Sequence, residues 1–184
     1  MKGIIFTHFF EMVETEFGDE TVEILIDSTE TSTKGVYTSA GNYPPQDIFN
    51  LVTSLSQISQ LPQAALYRHF GKYLFAGLYS NYSIFPPKAL KNSFSFLDSL
   101  NDYIHSDVYK LYPDAELPHF STQYRDEQKM VLVYQSNRRM SDLAFGLIEG
   151  CLAHFGEKAS IEVEFLKEDG SEVLFTIKLN SGEN

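Results

Sequence analysis

Five histidines, His8, His69, His105, His119 and His154, are the side chains best suited to hold a metal or move a proton. His105 is set apart by its company. Phe94, Leu97, Ile104, Val108 and Leu111 recur at helical spacing around it, and it stands eight after Leu97 and three before Val108, which turns its imidazole along the buried side of a helix. A histidine there is either a hydrogen-bonded core residue, the commoner case, or an axial ligand. A second group is Tyr134-Gln135-Ser136-Asn137-Arg138, just past a strand pattern, where a period of two puts Tyr134, Ser136 and Arg138 on one side. Two hydroxyls beside a guanidinium form a clamp for a carboxylate: the planar fork of donors matches its two oxygens, and the hydroxyls fill the remaining lone pairs. Alone, the same residues also describe a polar edge strand.

The elements that must position these groups change character near residue 125. Ile4 to Phe17 reads as a helix, with Ile5, Phe9, Met12, Val13 and Phe17 on one face and a break at Gly18-Asp19. Gln46 to Ile58 follows a Gly41 to Pro45 loop, and Leu61-Pro62 opens a helix to about Phe70, where Gly71 interrupts it. Tyr73 to Tyr82 then forms a short aromatic helix, and Pro86-Pro87 starts one long segment, Lys88 to Tyr112. Met130 to Tyr134 is β-rich, Arg139 to Phe155 helical, and Ile161 to Leu166 pairs with Val173 to Leu179 about the turn at 168–170. The predicted fold is α+β: a helical N-terminal lobe of about residues 1–65, joined within a single domain of 1–184 to a C-terminal lobe of about 66–184 that carries a small antiparallel sheet and a crossing helix.

Composition narrows the function. The chain of 184 residues is long enough for one sizeable core, and its 15 Phe and 11 Tyr with no Trp would wall a pocket suited to a flat apolar ligand. A net charge of -11 with scattered Lys and Arg argues against nucleic acid as a partner. The lone Cys151 excludes an internal disulfide, multi-cysteine zinc and iron–sulfur sites, and haem attached through paired cysteines. The acidic N-terminal stretch lacks a cleavage signature and no segment reaches the roughly 18 apolar residues needed to span a bilayer, so a cytoplasmic location with no membrane partner is expected.

An apolar cavity, one inward histidine and one carboxylate clamp are together the parts that noncovalent haem requires. The chain resembles the haem nitric oxide/oxygen-binding (H-NOX) family, in its standalone bacterial form, which is related to the haem domain of soluble guanylate cyclase. The residues that carry the resemblance are the opening Met1-Lys2-Gly3-Ile4-Ile5, His105, Pro118 thirteen positions on, Tyr134-x-Ser136-x-Arg138, and Gly146-Leu147-Ile148-Glu149-Gly150. It implies haem b, noncovalent and ferrous, buried between the lobes, with no zinc. It further implies that His105 is the iron ligand, that Tyr134, Ser136 and Arg138 hold the propionates, and that Pro118 presses on the porphyrin and bends it.

The resemblance also assigns Ile5, Phe9, Leu74, Leu78, Leu143 and Leu147 to the side where the gas binds, and every one is apolar. Family members that hold dioxygen stably carry a tyrosine where this chain has Leu143. An apolar wall withholds the hydrogen bond that bound dioxygen needs, whereas nitric oxide binds ferrous iron strongly without one. The expected ligand is therefore nitric oxide, with carbon monoxide incidental; the spacing leaves open whether Tyr73, Tyr79, Tyr82 or His8 reaches this side. The expected function is a sensor and not an enzyme: nitric oxide weakens or breaks the Fe–His105 bond, and a separate partner, a histidine kinase or a cyclic-di-GMP cyclase or phosphodiesterase, is regulated in trans, since after Asn180 no output domain follows. Two alternatives stand beside it, a small haem enzyme acting on peroxide or nitric oxide, for which only His8 offers a nearby acid–base group, and a dioxygen-binding sensor. A haem-free interaction module is the blandest reading.

Overall fold

The computed structural model describes residues 1–81, 90–111 and 115–180, without the side chains of 81, 102–104, 107, 108 and 111. Tyr82 lies outside the described residues, and Ile104, Val108 and Leu111 outside the described side chains. Phe94 and Leu97, the other members of the apolar face around His105, are buried.

Three helices open the chain: α1 (Gly3–Phe17), α2 (Asp19–Ser28) and α3 (Pro45–Ser59). Gly18 separates the first two with φ +85, a value that favours a residue without a Cβ. Proline opens α3, where its missing N–H costs nothing, and Ile48, Leu51, Val52 and Leu55 form its buried stripe. These stripes meet Phe6, Phe9, Met12 and Val13 of α1 in an N-terminal core.

Helix α4 (Gln63–Asn81) runs unbroken through Gly71, where the sequence suggested an interruption. The reason lies in α7 (Ser141–His154), which crosses α4 so closely that a Cβ on Gly71 would sit 2.3 Å from the Leu143 carbonyl oxygen, and one on Gly146 would sit 2.0 Å from that of Arg68. Gly71 weakens the helix locally, but it permits backbone contact that no larger residue allows. Through this crossing α4 and α7 serve both halves of the molecule: Leu74 and Leu143 join the N-terminal core, Phe75 and Ile148 the C-terminal one.

The segment predicted as one long helix is divided. It contains α5 (Ser93–Asp98), a π-helical turn (Leu100–His105) and α6 (Ser106–Leu111). Asn92 and Ser95 cap the start of α5 reciprocally, and the Ser99 hydroxyl donates to the Phe96 carbonyl at 2.7 Å, competing with the helical ladder where α5 ends.

The sheet has the order β1-β2-β4-β3 and is antiparallel throughout: β1 (His119–Arg125), β2 (Lys129–Gln135), β3 (Ala159–Phe165) and β4 (Glu172–Leu179). Met130, Leu132 and Tyr134 of β2 pair with Ile177, Phe175 and Val173 of β4, and this alternating apolar face packs against Ile148, Cys151 and Leu152 of the crossing helix α7. The α+β architecture is thus as the sequence pattern suggested, with β1 and α2 added.

Candidate cofactor site

A cavity of about 510 Å³ opens between the two cores, within the size range of small-molecule and cofactor sites. Ile5 of α1, Leu74 and Leu78 of α4, and Leu143 and Leu147 of α7 line one side; Phe96, Leu97, Leu100, His105, Pro118 and Phe120 also line it; Tyr134, Ser136 and Arg138 complete the wall. Residues more than a hundred positions apart are brought to one space by the α4–α7 crossing and by β2.

His105 closes the π-helical turn, and π-helical insertions frequently mark functional positions. Burial, with a smaller contribution from His119, pushes its pKa down to about 4, so at neutral pH the imidazole is uncharged and a ring nitrogen keeps its lone pair. Its Nδ1 lies 3.2 Å from Oδ1 of Asn101. Asn101 also meets the backbone of β1: its Oδ1 accepts from the Phe120 N–H at 3.3 Å, and its Nδ2 donates to the Phe120 carbonyl. The Phe120 ring stands 6.2 Å from the His105 ring and 5.5 Å from that of Tyr134.

The clamp is built differently from the pleat the sequence suggested. Strand β2 ends at Gln135, and the chain turns through Ser136 to Arg139, which has φ +54. Ser136 is held by its N–H to the Ser171 carbonyl, and its hydroxyl accepts from the Arg138 N–H at 3.2 Å. The turn therefore brings Arg138 back to the cavity. Tyr134 is buried, its phenol accepting from the Met140 N–H at 3.0 Å and held above its ordinary pKa by burial. Arg138 is 19% exposed at its side chain and donates to Glu116 at 3.1 Å. Its Nε is buried and has no partner.

The other sequence candidates separate clearly. Phe9 does not line the cavity; it is fully buried in the N-terminal core, edge-on to Phe70 at 5.3 Å. His8 is 6% exposed and also absent from the wall, its Nδ1 bonded to Glu11 at 2.7 Å and its ring against Gly77. Tyr73 packs on the N-terminal core, whereas Tyr79 lines the cavity, its ring 5.8 Å from Phe75 and 3.9 Å from His154. Among the described residues, Tyr79 is thus the one of the open candidates placed in the wall, whereas Asn101, Glu116 and Phe120 are wall and near-wall residues that the sequence motifs pass over. Asn101 was findable as the polar residue one turn before His105.

The donor set fits haem. Among the described residues no three His, Cys, Asp or Glu side chains gather as a metal cluster, so a bare ion finds no cage, while one neutral imidazole is what an iron already held by a porphyrin takes. The orphaned Arg138 Nε–H calls for an acceptor oxygen that the protein does not supply, as a propionate would. Among the described residues, no helix is long and apolar enough to cross a membrane.

Comparison with known proteins gives the same direction. A family model described as Haem-NO-binding matches residues 2–163. The H-NOX protein from K. algicida, solved in the unliganded Fe(II) state, is 35% identical over 100% of this chain and 99% of that one, with a TM-score of 0.90. An H-NOX protein from S. oneidensis in the Fe(II)NO state is 30% identical over 98% and 100%, with a TM-score of 0.88. The IWP-051-bound H-NOX from Shewanella woodyi, in the Fe(II)CO state, is 38% identical over 97% and 94%, with a TM-score of 0.82. No curated protein matches the chain.

Proposed function

The chain belongs to the haem-NO-binding, or H-NOX, family of haem-based gas sensors, and from that premise we propose that it senses nitric oxide at a ferrous haem b held by His105 and passes the signal to a separate protein. The observation that carries this reading is the meeting, in one apolar cavity, of a neutral His105 and an Arg138 whose Nε lacks an acceptor. When bound, haem would supply a ferrous iron with affinity both for an imidazole and for a diatomic gas, whose binding would weaken the bond to the imidazole.

The rest belongs to the protein. His105 serves as the axial ligand; Arg138, Ser136 and Tyr134 hold the propionates; Pro118 presses on the porphyrin. Ile5, Leu74, Leu78, Leu143 and Leu147 exclude water and offer no hydrogen-bond donor, which favours nitric oxide over dioxygen and leaves carbon monoxide as an incidental ligand. The same leucines supply no acid or base, which supports a sensor over an enzyme that consumes peroxide. Signalling needs two states that the gas weighs differently. Here the switching element is His105 with its π-helical turn: once released, the lobe of about residues 66–184 relaxes against that of about 1–65, changing the surface offered to a histidine kinase or a cyclic-di-GMP cyclase or phosphodiesterase. Absorption spectra of the ferrous protein under argon, air, carbon monoxide and nitric oxide test the proposal. A protein that purifies without a Soret band, and does not acquire one with added haem, overturns it.

A further inference from the structure

We propose that Asn101 is a positioning residue for His105: its side-chain amide, locked by the Phe120 backbone, fixes the imidazole tautomer and sets the strength with which the other ring nitrogen donates. The inference rests on the reading of His105 as the axial ligand and adds to it a residue that touches neither cofactor nor gas.

Phe120 offers one N–H and one C=O to the same side chain. A backbone N–H only donates and a carbonyl only accepts, so Asn101 must turn Oδ1 to the first and Nδ2 to the second. The amide orientation, commonly ambiguous, is thereby decided by its partners. The oxygen is then also the atom 3.2 Å from His105 Nδ1, and an oxygen there requires that Nδ1 carry the proton. Nε2 is left as the nitrogen with a lone pair. A hydrogen bond at one ring nitrogen raises the basicity of the other, the role that carboxylates and carbonyls play behind metal-bound histidines. Asn101 precedes His105 by four residues in the π-helical turn, whereas Phe120 belongs to β1, so the same amide ties the switching turn to the sheet.

Resonance Raman spectroscopy of the ferrous, unliganded holoprotein reads the iron–imidazole stretching frequency. Asn101→Leu removes the acceptor and is expected to lower that frequency and to speed haem loss about 10-fold or more, in line with the 10- to 100-fold effects of such outer partners. Asn101→Asp restores a stronger acceptor for Nδ1 while losing the donor to the Phe120 carbonyl, and is expected to raise the frequency above that of the wild type. A purely structural role would move both variants alike. Equal frequencies in wild type and Asn101→Asp overturn the proposal, as does a lowering in Asn101→Asp equal to that in Asn101→Leu; where Asn101→Leu fails to fold, the aspartate variant decides alone. An iron–imidazole band that persists in His105→Gly prepared without added imidazole instead refutes the axial assignment beneath it, so the two failures are distinct.

Discussion

Arg138 donates from one terminal nitrogen to the Glu116 carboxylate at 3.1 Å, while its Nε, on the same guanidinium, is buried without an acceptor. The fork is thus half used. Glu116 is 83% exposed, so its pairing contributes little in water, whereas an acceptor at Nε would make a buried charge-assisted bond. Arg138→Ala is expected to cost about 1.5–3 kcal/mol of haem affinity, roughly 10- to 150-fold, Ser136→Ala about 1 kcal/mol, and Glu116→Gln less than either. Haem transfer to an acceptor protein measures all three. Equal loss rates for wild type and Arg138→Ala would mean that the guanidinium does not reach the propionate.

His105→Gly should bind haem poorly when expressed without added ligand and recover it when imidazole is present during growth, because the cavity then holds a free imidazole in place of the side chain. Neither His119, at the start of β1, nor His8, packed on Gly77, lines the cavity, so neither is positioned to take over. Haem content per protein, from pigment extraction, is the measurement; normal content without imidazole would move the assignment elsewhere.

How much of this was legible in the residues follows from how local each signal is. The α3 stripe and the alternation of Met130, Leu132 and Tyr134 are read directly, since period alone places them. Position within an apolar run is enough to bring His105 to the cavity. What was lost depends on contacts between distant segments. Gly71 looks like a helix breaker until α7 is seen against it, and Phe9, one turn beyond Ile5 on the same face of α1, is buried deeper, against Phe70. Ser136 and Arg138 meet through a turn and not a pleat, because Arg139 adopts a left-handed conformation that spacing does not announce. Asn101 is informative only once Phe120 is known to be beside it.

The α4–α7 crossing gives a stability test. A methyl group at Gly71 or Gly146 would meet backbone oxygens that cannot turn aside, at 2.3 Å and 2.0 Å. Gly71→Ala and Gly146→Ala should therefore each destabilise by about 1–3 kcal/mol, despite the better helix propensity of alanine. At about 2–4 °C per kcal/mol for a chain of this size, thermal unfolding would show a drop of several degrees. An unchanged or raised Tm would mean that the helices can separate without loss.

Gas selectivity turns on whether any donor reaches the bound ligand, and two residues frame the question. Leu143 and its neighbours Leu74, Leu78 and Leu147 present only carbon, but Tyr79 also lines the cavity, with its ring against Phe75 and His154. Those contacts engage the Tyr79 ring with the C-terminal core, on which Leu147 also packs, whereas Leu74, Leu78 and Leu143 belong with the N-terminal core. The ferrous wild-type protein should therefore form no stable dioxygen complex in air while binding nitric oxide, and Tyr79→Phe should leave both behaviours unchanged. Leu143→Tyr would place a hydroxyl in the wall, where a hydrogen bond is worth about 1 kcal/mol in an ordinary setting and more among apolar groups. A lone phenol without an orienting partner is expected to slow dioxygen release by about 5-fold, not to create a tight binder. The wild-type spectrum in air decides the argument: a persistent dioxygen complex that disappears in Tyr79→Phe would show that Tyr79 donates across the cavity, and the assignment would pass from nitric oxide to dioxygen.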